Sequence, residues 1–293
     1  MSEVARKPLW KRLGASVLRI ALAVLVLLQV YGYAIQDRMI FYPQPLGDDV
    51  RRAVLRTSAD VEEIELKTAD GTRLHGWFVR NDNGASPAPV LIYFGGNAEE
   101  VSGLALEARE LRGVSLALFN YRSYGKSGGN PSEIALFGDA LAIYDLIAAR
   151  PAVDRERIVA MGRSLGSGVA TYLATQRQLA AVVLVTPYDS MTAVARTKLP
   201  FVLVDLLLRH PFDSASRARS IDAPLLALIA EADTVIPPRH SHRLASLWRG
   251  PVTSITLNAE HNDIDVHSKY WSSVREFLQR NGVLGPKPGL RQQ

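Results

Sequence analysis

The sequence predicts an α/β fold in which a mainly parallel sheet is covered by helices on both faces. From residue 61 onward, short apolar runs of strand type alternate with longer segments of helical type. This alternation is typical of sheets built from parallel strands joined by helices. The length of 293 residues suits one large domain, and a long apolar segment near the N-terminus predicts a separate helix in front of it.

Eight strands and the helices between them are predicted in chain order. Val61–Lys67 and residues 72–79 flank an Ala-Asp-Gly turn and predict a hairpin. The remaining predicted strands are residues 89–94, 114–119, 157–161, 181–186, 224–230 and 252–257. Helices are expected from Ala98, over residues 131–149, after residue 164, after Pro238 and from His267.

The predicted organisation has five parts. A basic flank (1–12) precedes a transmembrane signal-anchor (13–35), and a linker (36–60) leads into the α/β domain (61–284). Within that domain, an insert at about residues 187–223 is expected to form a small helical cap. The tail (285–293) contains two prolines, two glycines and no apolar run, and it is expected to be disordered.

The anchor segment is apolar apart from three clearly polar members, Ser16, Arg19 and Gln29. At about 1.5 Å per residue, it is long enough to cross a hydrocarbon layer of about 30 Å. The preceding residues are basic and are opposed only by Glu3, which predicts a cytoplasmic N-terminus and an exported α/β domain. A cleaved signal peptide is the alternative, because residues 32–34 form a small-x-small site.

Charge and cysteine content exclude several function classes. Residues 1–60 carry nine basic and five acidic side chains, whereas the remaining residues carry 25 and 24. The α/β domain is therefore nearly neutral, and no nucleic-acid partner is expected. The absence of cysteine excludes disulfides, thiol catalysis and cysteine metal ligands. No clustered metal-ligand spacing or phosphate-binding glycine loop is present either, so no metal and no cofactor are expected.

Residues 162–166 read G-x-S-x-G and predict a nucleophilic serine. An apolar strand precedes them, and a segment that begins with small residues and continues as a helix follows. A tight strand–turn–helix of this kind presents the hydroxyl of the middle serine, Ser164, clear of the backbone. The flanking glycines, Gly162 and Gly166, allow the strand and the helix to approach closely. Ser164 is therefore the candidate nucleophile.

A serine nucleophile requires a base and an acid that orients it, in the chain order Ser, Asp or Glu, His. Asp233 follows the predicted strand at residues 224–230, and His261 follows the last predicted strand. Both positions lie at the carboxyl edge of the sheet, where open α/β sheets bind their ligands. Glu231 is the alternative acid. The other five histidines are expected to be surface or packing residues: His75, His210, His240, His242 and His267.

Two backbone amides are predicted to stabilise the oxyanion. One belongs to Leu165, which follows the candidate nucleophile, and the other to Asn97, in the Gly-Gly-Asn loop after the third strand. Asn97 is also a suitable helix cap, and the two roles are compatible. The apolar run at residues 199–208 in the cap would either bind an acyl chain or pack against the core, and both interpretations stay open.

These residues together resemble the α/β-hydrolase superfamily, and within it the bud-emergence type of membrane-anchored serine hydrolases. The resemblance runs from about residue 38 to residue 278. It is carried by the motifs at residues 39–43, 93–98, 120–127, 162–166, 187–190 and 261–263. It implies an α/β-hydrolase fold, a Ser-Asp-His triad and no cofactor, in a lineage whose eukaryotic members act on lysophospholipids and palmitoylated proteins.

Three departures from the family pattern are visible. Gly95 stands where a histidine is usual, Asn120 where an aspartate is common, and neither Ala230 nor Glu231 is the usual glycine. None of them removes a candidate triad residue. The sequence therefore predicts a serine hydrolase of carboxylic esters or thioesters, on a small-molecule, acylated or lipid-like substrate. A peptidase or amidase with the same triad and a non-catalytic binding protein are the alternatives.

Overall fold

The computed structural model describes residues 9–57, 60–82, 84 and 86–285. Its strands form one eight-stranded sheet in the order β1-β2-β4-β3-β5-β6-β7-β8. The strands are β1 (Val61–Lys67), β2 (Arg73–Val79), β3 (Ala88–Phe94), β4 (Ser115–Phe119), β5 (Val153–Arg163), β6 (Ala181–Val185), β7 (Leu225–Ala230) and β8 (Val252–Leu257).

Among the described residues, neighbouring strands from β4 to β8 in this order are parallel, and the two antiparallel pairs are β1 with β2 and β2 with β4. The predicted mainly parallel sheet is thus confirmed. Because the carboxyl ends of parallel strands meet at one edge, the loops after β3, β5, β7 and β8 lie together there. Each of these loops contains a residue of the predicted site.

Helices cover both faces of the sheet. They are α1 (Leu9–Ile40), α2 (Asp48–Thr57), α3 (Ser102–Leu106), α4 (Glu133–Ala148), α5 (Leu165–Gln176), α6 (Met191–Lys198), α7 (Val204–Leu207), α8 (Ser214–Ala218), α9 (Pro238–Leu247) and α10 (Tyr270–Arg280), with short 3₁₀ turns at Ala108–Leu111 and Ile264–Val266. The helices expected from Ala98 and from His267 begin later in the chain, at Ser102 and Tyr270.

The strands alternate their side chains between two apolar layers. In β3, Val90 and Ile92 belong to one buried cluster, while Leu91 and Tyr93 belong to the other. Every residue of β3, β6 and β7 is buried, as expected for central strands that are covered on both faces. This sheet, packed on both faces, fixes the loops at its carboxyl edge.

Helix α1 extends beyond the predicted anchor. Its segment Ser16–Ile40 has a mean hydropathy of 1.9 and is long and apolar enough to cross a membrane. The prediction ended at residue 35 because Gln36, Asp37 and Arg38 are polar, but the first two contact the cap, which allows the helix to continue to Ile40. Residues 1–8 lie outside the described part of the chain.

The segment predicted as a linker also contains a helix. Residues 36–40 complete α1, and α2 packs on the sheet through Val54, which is fully buried. An amphipathic helix buries a single face, so its polar majority resembles a linker in the sequence. The cap segment between β6 and β7 forms three short helices, α6, α7 and α8. Of the tail predicted to be disordered, only Gly285 is among the described residues.

Candidate active site

Ser164 occupies the tight turn between β5 and α5. Its backbone has φ 49° and ψ −116°, a conformation that non-glycine residues rarely adopt. A Cβ atom at Gly162 would collide with the Gly166 carbonyl oxygen, and one at Gly166 would collide with the Phe94 carbonyl oxygen. The turn therefore requires glycine at both positions. It holds the Ser164 side chain above the carboxyl edge of the sheet.

Ser164, His261 and Asp233 form one hydrogen-bonded series. The distance from Ser164 Oγ to His261 Nε2 is 3.0 Å, and that from His261 Nδ1 to Asp233 Oδ2 is 2.7 Å. All three residues are buried. Because an ionised carboxylate only accepts hydrogen bonds, Nδ1 carries the imidazole hydrogen, which leaves Nε2 as the acceptor for the serine hydroxyl. The structure thus brings together all three side chains predicted from the sequence.

The Asp233 carboxylate is held by the loop after β7. Its Oδ1 accepts the backbone N–H groups of Val235 at 2.8 Å and Ile236 at 2.7 Å. These bonds orient the other oxygen toward His261 and satisfy a buried charge. Glu231, the alternative acid, is exposed, and Asp265 forms an ion pair with Arg163 at 3.0 Å.

The other histidines do not contact Ser164 in the described part of the chain. His75 is buried against Glu63 at 2.9 Å, and His210 Nε2 lies 3.1 Å from Asp37 Oδ1. Burial lowers the pKa of His210. His242 is exposed and His267 is half-buried. These positions agree with the packing and surface roles predicted for them.

His240 forms a second buried histidine–aspartate pair. Its Nδ1 lies 2.8 Å from Asp189 Oδ1, nearly the same distance as in the His261–Asp233 pair. Its Nε2 is buried without a hydrogen-bond partner in the described residues. Among the described residues, the His261 pair has a serine hydroxyl at its Nε2 atom, whereas the His240 pair does not.

The loop with the predicted oxyanion donor is fixed by two tyrosines and a glutamate. The Tyr121 hydroxyl donates to the Gly95 carbonyl at 2.9 Å, and the Tyr124 hydroxyl donates to the Asn97 carbonyl. Burial raises the pKa of Tyr124 to about 12, which keeps its hydroxyl a donor. Glu99 accepts the Gly96 N–H at 2.7 Å.

The two predicted donors lie beside the serine. A Cβ atom at Gly96 would be 3.9 Å from the Ser164 Cβ, so the loop before Asn97 passes close to Ser164. Leu165 is the first residue of α5, so its N–H has no carbonyl partner four residues earlier within the helix. Asn97 and Leu165 line the same cavity as Ser164.

Arg122 anchors the segment that carries both tyrosines. Its guanidinium binds the buried Asp139 carboxylate through two bonds, at 2.8 Å and 2.7 Å. We expect Arg122→Leu to lower the free energy of unfolding by about 3–5 kcal/mol, because it leaves a buried charge without its partner. Urea unfolding in detergent measures this change.

The matched control is Arg177→Leu. Arg177 makes the same two-bonded contact with Asp145, at 2.9 Å and 2.8 Å, but at the surface. Losing this contact is expected to lower the free energy of unfolding by about 1 kcal/mol or less. Equal destabilisation by the two variants would contradict the assignment of the larger effect to the buried Asp139.

An apolar cavity of about 270 Å³ opens beside Ser164. Its volume is just below the range of about 300–1,000 Å³ that is typical of small-molecule sites. The walls come from the cap, from the loop after β7 and, unexpectedly, from the second half of α1. The α1 residues that line it are Gly32, Tyr33, Gln36, Met39 and Ile40.

Comparison with known proteins shows the family. No protein-family model matches the chain. An uncharacterized protein of Mycobacterium tuberculosis is 34% identical over 255 residues, which cover 85% of this chain and 89% of that protein. The alpha/beta hydrolase domain-containing protein WAV2 of Arabidopsis thaliana is 27% identical and matches 84% of this chain and 88% of its own length. The protein bem46 of Schizosaccharomyces pombe is 25% identical, with coverage of 91% and 93%. The chain belongs to the α/β-hydrolase superfamily.

Solved α/β hydrolases share its fold. An esterase of Pyrococcus furiosus superposes with a TM-score of 0.64 at 22% identity, over 82% of this chain and 97% of that chain. An alpha-beta hydrolase of Vibrio vulnificus gives a TM-score of 0.67 at 18% identity, with coverage of 83% and 92%. At these identities the likeness concerns the fold alone. The predicted α/β-hydrolase fold and the bem46-type resemblance are confirmed.

Sequence reasoning on this α/β hydrolase missed the groups that support the site. Tyr121 and Tyr124 lie in a motif that carried the family resemblance, but no role was predicted for them. Glu99 was also overlooked, although its position shortly after two glycines was a signal for a loop-capping carboxylate. The contribution of α1 to the cavity had no signal in the sequence, because it depends on contacts with the distant cap.

Proposed function

We propose that this α/β hydrolase is a serine hydrolase of carboxylic esters or thioesters. Ser164 is the nucleophile, His261 is the general base and then the general acid, and Asp233 orients His261. The observation that carries the proposal is the unbroken hydrogen-bonded series of these three buried side chains at the end of an apolar cavity.

The reaction follows from this geometry. Ser164 Oγ attacks the acyl carbonyl carbon while its proton passes to His261 Nε2, and the carbonyl π electrons move onto oxygen. Collapse of the tetrahedral intermediate breaks the bond to the leaving oxygen or sulfur, which takes the proton from His261. Water then attacks the acyl-enzyme in the same way, releases the carboxylic acid and restores Ser164.

In this proposal, two backbone amides stabilise the oxyanion of the tetrahedral intermediate. The Leu165 N–H projects from the first turn of α5, where the helix dipole also favours negative charge. The Asn97 N–H belongs to the loop that Tyr121 and Tyr124 hold in place. Donors that are fixed before the reaction need no reorganisation when the charge develops.

The cavity favours an acylated or lipid-like substrate. Apart from Gln36, Asn97, Ser164 and Lys198, it is lined by apolar, glycine and tyrosine residues. Binding an acyl chain there removes apolar surface from water on both sides, at about 25 cal/mol per Å². The acyl-binding interpretation of the cap is therefore favoured over plain core packing.

The location proposed is the membrane, with a cytoplasmic N-terminus and an exported catalytic domain. It is supported by the apolar segment Ser16–Ile40 and by the basic residues that precede it. A relative in Saccharomyces cerevisiae, 28% identical, is described as an uncharacterized membrane protein. Cleavage after Ala34 would remove Gln29, which bonds to the cap, and Gly32, which lines the cavity. The uncleaved anchor is therefore favoured.

Hydrolysis of p-nitrophenyl esters from acetate to palmitate by the detergent-solubilised chain tests this function. We expect turnover with the highest kcat/KM at medium or long chains, since the cavity is apolar. A fluorophosphonate probe should label the protein at Ser164, as read by peptide mass spectrometry. Absence of both turnover and labelling, or hydrolysis of amides without esters, would contradict the proposal.

A further inference from the structure

Gln29 joins the membrane-type helix to the cap. Its Nε2 donates to the Phe201 carbonyl at 2.9 Å, and its Oε1 accepts the Leu203 N–H at 2.8 Å. A glutamine amide in hydrocarbon is costly unless its groups are paired, and so is irregular backbone at that depth. The two bonds pair the Gln29 amide with the Phe201 carbonyl and the Leu203 N–H. Residues 201–203 of the cap can therefore lie in the membrane at the same depth as Gln29.

Gln36 repeats the contact two turns further along the same side of α1. Its Nε2 donates to the Leu207 carbonyl at 3.1 Å, and its Oε1 accepts the Arg209 N–H at 2.7 Å. Arg209 also forms an ion pair with Asp37 at 2.8 Å. The charged end of the interface thus lies toward Ile40, and the apolar end lies toward the middle of α1.

The bilayer boundary falls between these two glutamines. A hydrocarbon layer of about 30 Å takes about 20 helical residues, so a span that begins at residue 13 ends near residue 32. Tyr31 and Tyr33 are largely exposed at this level. Tyrosine is enriched where membrane meets water. Gln29 therefore lies inside the boundary, and Gln36 lies outside it.

Three exposed apolar side chains, Phe201, Leu203 and Leu206, form what we call the cap tip. They are 76%, 60% and 78% exposed. Such a cluster on a soluble surface would be unfavourable. The backbone of Phe201 and Leu203 bonds to Gln29, which lies inside the boundary, so a membrane crossed by α1 would cover the tip.

The cavity runs along α1 from the serine toward this boundary. At the serine end, the Tyr42 N–H, just past α1, donates to the Asn97 carbonyl at 3.0 Å. At the other end, a Cβ atom on Gly32 would lie 3.6 Å from Val202 Cγ1. Gly32 and Ile40 are separated by about 12 Å of helix. The cavity therefore leads from Ser164 to the level of the cap tip.

We propose that residues 29–40 of α1 form one wall of an acyl-binding site and that the cap tip inserts into the same bilayer leaflet. The acyl chain of a membrane-resident ester or thioester then enters the cavity directly from the lipid. The chemistry rests on the proposed serine hydrolase function, but the bilayer contact does not depend on it.

Lipid quenching tests the bilayer contact. The chain contains no cysteine, so Leu206→Cys provides a single attachment point for a fluorophore. The labelled full-length chain is reconstituted in phosphatidylcholine vesicles that contain spin-labelled phosphatidylcholine. Leu22→Cys, in the middle of the apolar segment, is the positive control. Gln178→Cys, an exposed site beyond the opposite edge of the sheet, is the negative control.

We expect quenching at positions 22 and 206 and none at position 178. Quenching at position 22 alone would overturn the proposal and leave the membrane anchor intact. Quenching at neither position 22 nor position 206 would also contradict the proposed membrane anchor. Equal quenching at positions 178 and 206 would also contradict the proposal, because the tip would then have no special contact with lipid.

Gly32→Leu tests the α1 wall. The added side chain fills the end of the cavity beside Val202. We expect the ratio of kcat/KM for p-nitrophenyl laurate to that for the acetate to fall about tenfold or more. Gly103→Leu is the matched control, because a side chain there meets nothing within 4 Å. An unchanged ratio in Gly32→Leu would contradict the proposal that α1 forms a wall of the acyl-binding site.

These experiments distinguish a failure of the proposed bilayer contact and α1 wall from a failure of the proposed hydrolase function. If the wild-type chain neither hydrolyses esters nor reacts with a fluorophosphonate, the serine mechanism fails while the quenching result stands by itself. If both variants react normally with the fluorophosphonate, the Ser164 turn is intact. A changed ratio then reports the cavity and not the fold.

Discussion

Ser164→Ala is expected to lower kcat/KM for p-nitrophenyl esters by about 10⁵-fold or more. In the proposed mechanism, the alanine removes the oxygen atom that forms the bond to the acyl carbon. His261 and Asp233 then have no partner to activate, which is why loss of the nucleophile alone removes nearly the whole effect of the three groups. Initial rates and fluorophosphonate labelling measure the change.

Ser246→Ala is the matched control for this substitution. Ser246 is an exposed serine in α9 whose hydroxyl donates to the Arg243 carbonyl at 2.8 Å. We expect it to keep wild-type rates. The unfolding curve of Ser164→Ala should lie close to that of the wild type, because the strained turn is held by backbone packing. Retained ester hydrolysis in Ser164→Ala would end the proposed mechanism.

The strands and the positions of the candidate triad were predictable because both depend on local pattern. Short apolar runs mark buried strands, and parallel strands place their carboxyl ends at one edge. Asp233 and His261 each follow such a run, so the sequence alone predicts that both lie close to Ser164. The buried second pair, His240–Asp189, was not predicted, because His240 lies within helix α9 and no strand end marks its position, although Asp189 follows β6.

The extent of α1 and its place in the cavity could not be predicted. The polar residues Gln36 and Asp37 end the apolar run, so hydropathy ends the helix there. Their partners in the cap lie more than 170 positions away in the chain. Contacts of this separation leave no periodic signal in one sequence. Helix α2 was missed for a related reason, since it buries Val54 whereas its other residues are mostly charged or exposed.

The second buried histidine–aspartate pair provides a strict test of which acid serves catalysis. We expect Asp233→Asn to lower kcat by about 10⁴-fold. The amide would offer His261 Nδ1 an N–H donor, which favours the tautomer that carries its hydrogen on Nε2. That nitrogen could then no longer accept the Ser164 proton. KM should change little, since Asp233 does not line the cavity.

Asp189→Asn makes the same chemical change in the His240 pair, at an almost identical distance of 2.8 Å. It should lower the free energy of unfolding by about 1 kcal/mol, because the His240 hydrogen bond then goes to a neutral amide oxygen instead of a charged carboxylate oxygen. Its kcat should stay near that of the wild type, since the described residues place no serine hydroxyl at His240. Comparing kcat and urea unfolding for both variants therefore separates catalysis from folding. A kcat loss in Asp189→Asn as large as that in Asp233→Asn would contradict the assignment of the catalytic acid to Asp233.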